Sequence, residues 1–288
     1  MYTMRPAEFE YHRPGSLDEA LSLLGEESRP LAGGHSLLPL MKLRLSTPEA
    51  LVDLAGVPGL DEIAEDGDGL RIGALATHAS VAESELVRSR CPVLAETAGL
   101  IGDAQVRNRG TLGGSVAHAD PAADYPTILK ALGATISVAG KDGEREIAAD
   151  DFFVDVFATA LQPGELVVTA KVPATPAGGG AAYVKHRHPA SFYAVVGVAA
   201  VVAVENGSCT SARLTIGGVT GTPVDATAAA ESLVGAEPSD ASAAAAADTV
   251  AAALPNAMSD TYASGEYRTY LAGVLARRAL RLAFERAA

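Results

Sequence analysis

Residues 31–40 read LAGGHSLLPL and residues 111–118 read TLGGSVAH. Both set a Gly-Gly pair in an apolar frame with a hydroxyl residue close behind, and they lie eighty positions apart. Glycine adopts positive φ without steric cost and lets a ligand come close to the backbone. Successive exposed N–H groups then form an anion-binding nest. One such pair alone reads first as a tight turn between strands. Two facing each other would also suit a pyrophosphate held without Lys or Arg, with Ser36, Thr111 and Ser115 adding hydroxyl donors.

The composition narrows the classes of function. The chain has 288 residues, 48% apolar and 20% charged, with a net charge of −13. Phosphate backbones and anionic membrane surfaces are held by Lys/Arg clusters, and none stands out, so neither nucleic acid nor a membrane surface is the expected partner. The longest apolar run, AVVGVAAVVAV at 194–204, is about half of what a bilayer span needs. The opening MYTMRPAEFE lacks a basic segment followed by an apolar one and does not read as a signal peptide. Cys91 and Cys209 are the only cysteines, which implies no disulfide framework and an expected cytoplasmic location. Two isolated thiols cannot ligate an iron–sulfur cluster, and neither CxxC nor HExxH occurs. Redox chemistry in this chain would therefore rest on an organic cofactor, with no metal expected.

Working outward from the glycine pairs, PGSLDEALSLL (14–24) predicts a helix behind a capping box of Ser16 and Glu19. RPLAGG reads as a strand running into a glycine turn, and ALVDLAGV (50–57) as a buried strand. In DGDGLRIGAL (66–75) the third glycine of a dinucleotide fingerprint comes one place late and two aspartates flank the first. The stretch reads as a hairpin turn, which gives no support to a Rossmann domain. Residues 79–100 predict two short helices broken at RSRCP. Residues 133–153 predict a hairpin turning at KDG, and 164–173 a further strand. ATPAGGGAA (174–182) is the best linker candidate. Beyond it come two Val-rich strands (193–204 and 209–219), Ala-rich helices (about 225–253) and a closing helix (267–287) with Leu271, Val274 and Leu275 on one face. The expected organisation is a mixed region over 1–176, in lobes of about 1–57 and 58–176, followed by a smaller α+β domain over 177–288.

SVAHADPAADYP, after the second glycine pair, carries Asp124 nine positions beyond Ser115. Pro121 and Pro126 predict an ordered, non-helical segment in which Asp124 could accept from ribose hydroxyls. A metal site of His118, Asp120 and Asp124, or a plain acidic surface loop, reads from the same residues. On spacing alone Tyr193 reads as a core aromatic, Lys185 as a solvated charge and His35 as a loop residue, while His186 and His188 have no evident partner.

LAGGHSLLPLMKLR, followed by QVRNRGTLGGSVAHADPAADYP, YVKHRHPASFYAVVGVAA and SGEYRTYLAGVLARRAL, resembles the FAD-binding medium subunits of the molybdenum hydroxylases across nearly the whole chain. Within that family the likeness is to the carbon monoxide dehydrogenase flavoprotein branch. The resemblance implies an α+β fold: a two-lobed FAD-binding domain of the vanillyl-alcohol oxidase type, then a small α+β C-terminal domain. It implies non-covalent FAD clamped by Leu31, Ala32, Gly33, Gly34, His35 and Ser36 and by Thr111, Gly113, Gly114 and Ser115. It places Asp124 at the adenosine side, Ile101, Gly102, Leu161 and Tyr193 beside the flavin ring, and Lys185 as a cation near the ring's pyrimidine end. Relatives often have Asn where this chain has Ser115, which leaves that side chain's role open. The implied activity is electron transfer in a dimer of heterotrimers. Substrate is oxidised at a molybdenum cofactor in a large subunit, and electrons pass through [2Fe–2S] clusters of a small subunit to FAD and on to an external acceptor. The alternatives are a stand-alone flavin oxidase with its own substrate pocket, and a scaffold that has lost its flavin.

Overall fold

The computed structural model describes residues 4–287; residues 1–3, part of the opening segment read above for a signal peptide, and residue 288 lie outside the described residues. The chain opens with a small parallel sheet in the order β1-β3-β2, built from β1 (Glu10–His12), β2 (Ser28–Leu31) and β3 (Ala50–Asp53). α1 (Leu17–Leu23) joins the first two strands and α2 (Leu37–Lys42) follows the first glycine pair. The Ser16 hydroxyl accepts from the Glu19 amide, and the Glu19 carboxylate reaches back to the amide of Gly15, one residue before the cap. The start signal of α1 is thus local chemistry and was legible as such.

The next unit is a five-stranded antiparallel sheet with a run of short helices inserted after its second strand. β4 (Ile63–Asp66) and β5 (Gly69–Gly73) form the expected hairpin. Then come α3 (His78–Glu83), α4 (Glu85–Arg90), α5 (Pro92–Gly99), α6 (Ala104–Arg107), α7 (Leu112–His118) and α8 (Asp124–Ala131). β6 (Thr135–Gly140) and β7 (Gly143–Ala148) form the second expected hairpin. α9 (Ala149–Phe152), the small pair β8 (Phe153–Asp155) and β9 (Ala158–Thr159), and β10 (Leu166–Val172) complete the unit. The order β4-β5-β10-β6-β7 puts the last strand in the middle of the sheet. Leu70, Ile72, Ile136 and Val138 of the sheet bury against Leu94, Leu112, Ile128 and Leu129 of the helices.

Two expectations for this unit are corrected. Residues 78–99 form three helices, because Thr77 and Ser84 each cap a new one and Pro92 stands at the start of the third. In the segment after the second glycine pair, residues 119–123 around Pro121 are non-helical as expected, but α8 begins at Asp124. Pro126 falls in the first turn of α8, where a missing N–H costs no intrahelical bond.

The C-terminal unit is an antiparallel meander of β11 (Gly179–Arg187), β12 (Ala194–Glu205), β13 (Ser208–Gly217) and β14 (Val224–Asp225). α10 (Thr227–Glu231), α11 (Asp240–Ala247) and the long α12 (Gly265–Ala287) follow. Ala181, Tyr183 and Ala199 join the core of the preceding unit, whereas Ala182, Val198 and Ala200 pack with α12. Both faces of β12 are buried, which is why the run at 194–204 is continuously apolar rather than alternating. On α12 the inward face is Ala272, Leu275, Ala276, Ala279, Leu280 and Ala283; Leu271 and Val274 stand at its half-buried edge.

The linker candidate is also shortened. Gly179–Ala182 belong to β11, and a Cβ on Gly180 would stand 1.9 Å from the Ala283 carbonyl oxygen of α12. That glycine serves close packing, not flexibility. Similarly, α8 lies so near β13 that a Cβ on Gly217 would stand 1.9 Å from Thr127 Oγ1.

Candidate functional site

The first glycine stretch leaves β2 and turns into α2. Gly34 has φ +76°, the left-handed region that glycine enters without cost. Gly33 has no room for a side chain: a Cβ there would stand 2.1 Å from the Arg109 carbonyl oxygen and 2.8 Å from Gly110 Cα. The residues just before the second glycine stretch are therefore packed against the first. Among the described residues no protein acceptor takes the amides of Gly33, Gly34, His35 or Ser36. Four adjacent N–H groups beside the left-handed Gly34 are thus left without a protein acceptor.

The second stretch differs. Gly113 and Gly114 lie in the first turn of α7, not in a positive-φ loop. Their amides are already engaged, Gly113 with the Ala74 carbonyl at 2.8 Å and Gly114 with Thr111 Oγ1 at 3.1 Å. The Ser115 amide donates to the Thr111 carbonyl. The idea of two equivalent nests is corrected. The second pair provides a capped helix start and a bare surface, with Gly113 pressed on Ala74 and Gly114 exposed toward Ala32.

Between the two stretches runs a cleft of about 560 Å³, within the ordinary size range of cofactor sites. Ala32, Gly33, Gly34, His35, Ser36, Ile101, Gly102, Thr111, Gly113, Gly114, Ser115, Asp124 and Tyr193 all line it. Three expected residues do not. Leu31 stands behind the turn, its Cδ1 3.4 Å from where a Gly34 Cβ would be. Leu161 packs against the core of the five-stranded unit. The Lys185 side chain is 3% exposed and lies under the turn before Tyr193. Sequence reasoning missed Arg29, Pro30, Leu37, Val106 and His78 as walls of the cleft. Leu37 directly follows the first glycine stretch, whereas Arg29 and Pro30 on β2, His78 on α3 and Val106 on α6 reach the cleft only through tertiary packing. His188 also has partners, accepting from the amides of Ala190 and Ser191 on Nδ1.

Asp124 and Lys185 form a buried ion pair. Asp124 is 4% exposed, and both its oxygens are taken: Tyr183 donates at 2.7 Å and Lys185 Nζ at 2.9 Å. Burial pushes this carboxyl upward against the pull of Lys185 and Tyr183. Each charge neutralises the other. Asp120, half-buried on the turn before α8, lines the cleft and spends Oδ1 on the Ala122 amide. Among the described residues no three His, Cys, Asp or Glu side chains group as metal ligands.

His78 is the buried imidazole of the cleft. It is 5% exposed, its Nδ1 has no partner, and its ring lies 5.3 Å from that of Tyr125. Burial, with His35 and Arg107 nearby, lowers its pKa from 6.5 to about 4. The unfolded chain therefore takes up a proton between those values that the folded chain refuses. Stability tied to the neutral ring is present above pH 6.5 and lost as the pH falls toward 4, a span worth on the order of 3 kcal/mol. Thermal unfolding of the wild type should weaken more between pH 7 and pH 5 than that of His78→Gln. Parallel pH profiles for the two proteins would contradict this.

Residues 7–175 match the family model described as the FAD binding domain in molybdopterin dehydrogenase. Residues 181–283 match that of the CO dehydrogenase flavoprotein C-terminal domain. The carbon monoxide dehydrogenase medium chain of Afipia carboxidovorans is 41% identical over 287 residues, covering 99% of either chain. The 6-hydroxypseudooxynicotine dehydrogenase complex subunit alpha of Paenarthrobacter nicotinovorans is 37% identical, over 99% of this chain and 97% of that one. The solved carbon monoxide dehydrogenase from Hydrogenophaga pseudoflava has a chain that superposes with a TM-score of 0.94 at 40% identity, covering 98% of this chain and 99% of that one. With a cleft of the right size between the two glycine stretches and a likeness spanning the full length, the chain belongs to the family of FAD-binding medium subunits of the molybdenum hydroxylases.

Proposed function

We propose that this chain is the flavoprotein subunit of a carbon monoxide dehydrogenase, working in the cytoplasm within a dimer of heterotrimers. The observation that carries the reading is the 41% identity to a carbon monoxide dehydrogenase medium chain over 99% of both proteins. The molybdenum cofactor would reside in a large subunit and the [2Fe–2S] clusters in a small one. The two cysteines of this chain, both buried, leave such clusters to other subunits. Family membership favours this reading over a stand-alone oxidase.

FAD would lie non-covalently in the cleft, its diphosphate against the amides of Gly33, Gly34, His35 and Ser36. The bare surface of Gly113 and Gly114 would let it approach, Thr111 and Ser115 would border it, and Ile101, Gly102 and Tyr193 would flank the ring. Bound FAD supplies the exchange between one-electron and two-electron transfer that joins the clusters to an external acceptor. The chain's own share is to bind and orient. The helix start at Thr111, the turn at Gly34 and the neutral imidazole of His78 present dipoles rather than full charges, and most of the lining is apolar, which limits water around the cofactor.

The 37% likeness to a hydroxypseudooxynicotine dehydrogenase subunit makes the identity of the donor the point to test. Carbon monoxide given anaerobically to the assembled complex is expected to bleach the flavin. Bleaching by an N-heterocycle or an aldehyde, with none by carbon monoxide, would overturn the choice of substrate.

A further inference from the structure

The joint between the two glycine stretches is backed by a buried imidazole. A Cβ on Gly33 would stand 2.8 Å from Gly110 Cα, so the first stretch lies directly on Gly110. A Cβ on Gly110 would in turn stand 2.5 Å from His78 Nε2 and 2.8 Å from its Cδ2. The His78 amide donates to the Gly110 carbonyl at 2.9 Å, and the Gly110 amide to the Val106 carbonyl at 2.7 Å. The Tyr125 ring of α8 packs on the imidazole, with 5.3 Å between centroids. The imidazole is thus a wedge between α8 and the joint.

This wedge suits only a neutral ring. His78 is 5% exposed, and among the described residues its Nδ1 has no partner. The charged and titratable groups that face it are Arg107 from α6, His35 from the first stretch and Tyr125 from α8. Arg107 is fixed in place by bonds from Nη1 to the carbonyls of Ile101 and Gly102, at 3.1 and 3.0 Å. The charged groups of α4 and α5, which also pack on α3, turn elsewhere: Arg88 to the Ala82 carbonyl, Arg90 to Glu65 and Glu96 to Arg286, with Glu85 exposed. An imidazolium here would be a buried charge beside a fixed guanidinium, which is costly unless it moves out to water.

We propose that His78 is a positioning residue: neutral, it wedges Gly110 against Gly33 and keeps FAD in the cleft; protonated, it leaves the wedge, opens the joint between the two glycine stretches and releases FAD from a chain that stays folded. The inference rests on FAD occupying this cleft. The wedged ring stays neutral down to about pH 4, whereas a ring freed to water protonates near its ordinary 6.5. Protons therefore favour the open joint, about tenfold more at pH 5.5 than at pH 7.5. Opening of this kind is local and leaves the remaining core intact.

The test dilutes the FAD-loaded full-length chain at pH 7.5 and at pH 5.5. Flavin passing into a protein-free ultrafiltrate is timed, and far-ultraviolet circular dichroism follows the fold. The wild type should release FAD about tenfold faster at pH 5.5, on the linkage above. His78→Gln keeps His35 and Arg107 but takes up no proton at that position, and should lose the ratio whatever its rate at pH 7.5. If it does not fold, His78→Leu should be equally flat. Gly110→Ala, whose methyl would displace the ring, should release FAD faster than the wild type already at pH 7.5. Equal wild-type rates at the two pH values, or a ratio that survives in His78→Gln, overturns the wedge. Release that slows at pH 5.5 only when His78 is present overturns it too, since the imidazolium would then be held by the cofactor's diphosphate. Loss of ellipticity in step with flavin makes the opening global and overturns the local joint. A chain that takes up no FAD at either pH instead overturns the placing of FAD in the cleft.

Discussion

Gly33→Ala is expected to yield a chain that carries no FAD. The added methyl would stand 2.1 Å from the Arg109 carbonyl oxygen and 2.8 Å from Gly110 Cα, both backbone atoms that no side-chain rotation can move. Relieving the clash means separating the first glycine stretch from the lead-in to the second, which opens the cleft at the place where they meet. The cost is about 3 kcal/mol or more for overpacking a backbone contact, enough to leave the loop displaced and its four amides dispersed. Gly34→Val should follow it closely, because a β-branched residue at φ +76° is strained and its Cβ would stand 2.9 Å from Leu38 Cδ1. Gly114→Ala should act more mildly on the fold, since its methyl would crowd the Thr111 hydroxyl, at 2.8 Å, and meet Ala32 Cβ at an ordinary 3.8 Å. Losing that cap costs about 1 kcal/mol. Flavin content per folded chain after reconstitution ranks the three. A Gly33→Ala protein with wild-type stability and full flavin would refute the contact between the two stretches as the basis of the site.

The isolated chain, loaded with FAD, is expected to stay oxidised when carbon monoxide is added anaerobically, and to bleach once the partner subunits are supplied. The physical reason is compositional. The cleft offers amides, hydroxyls, a neutral imidazole and apolar walls, but among the described residues no grouping of metal ligands. Carbon monoxide has no acidic proton for a side chain to remove and no bond that an imidazole could polarise to effect. On the proposed function, activation would come from the metal centre of another subunit, with electrons delivered across an interface. Flavin absorbance followed over time decides the matter. Prompt bleaching of the isolated chain would return the protein to the class of stand-alone oxidases. Permanent interfaces are large and apolar, and the exposed Val154, Val156, Phe157 and Tyr193 gather on segments near the cleft. Charged substitutions there are accordingly the changes to compare with wild type when assembly is measured.

The sequence by itself determined the local elements. The hairpins at 66–69 and 140–143, the Ser16 cap and the closing helix follow from contacts within a few residues, and local chemistry specified them. It also marked the two glycine pairs as one site, because glycine in an apolar frame signals a backbone that something approaches closely. What approaches Gly33, however, is the carbonyl of Arg109, and that is a fact of tertiary structure. The inequality of the two pairs, one with free amides and one with its amides spent inside a helix, depends on Ala74 and Thr111 as acceptors. The engagement of both Asp124 oxygens depends on Tyr183 and Lys185, 59 and 61 positions away. A carboxylate shows the same face in a sequence whether it meets ribose or an ammonium. Only the fold, by burying it beside one lysine with no water to compete, decides which partner it keeps.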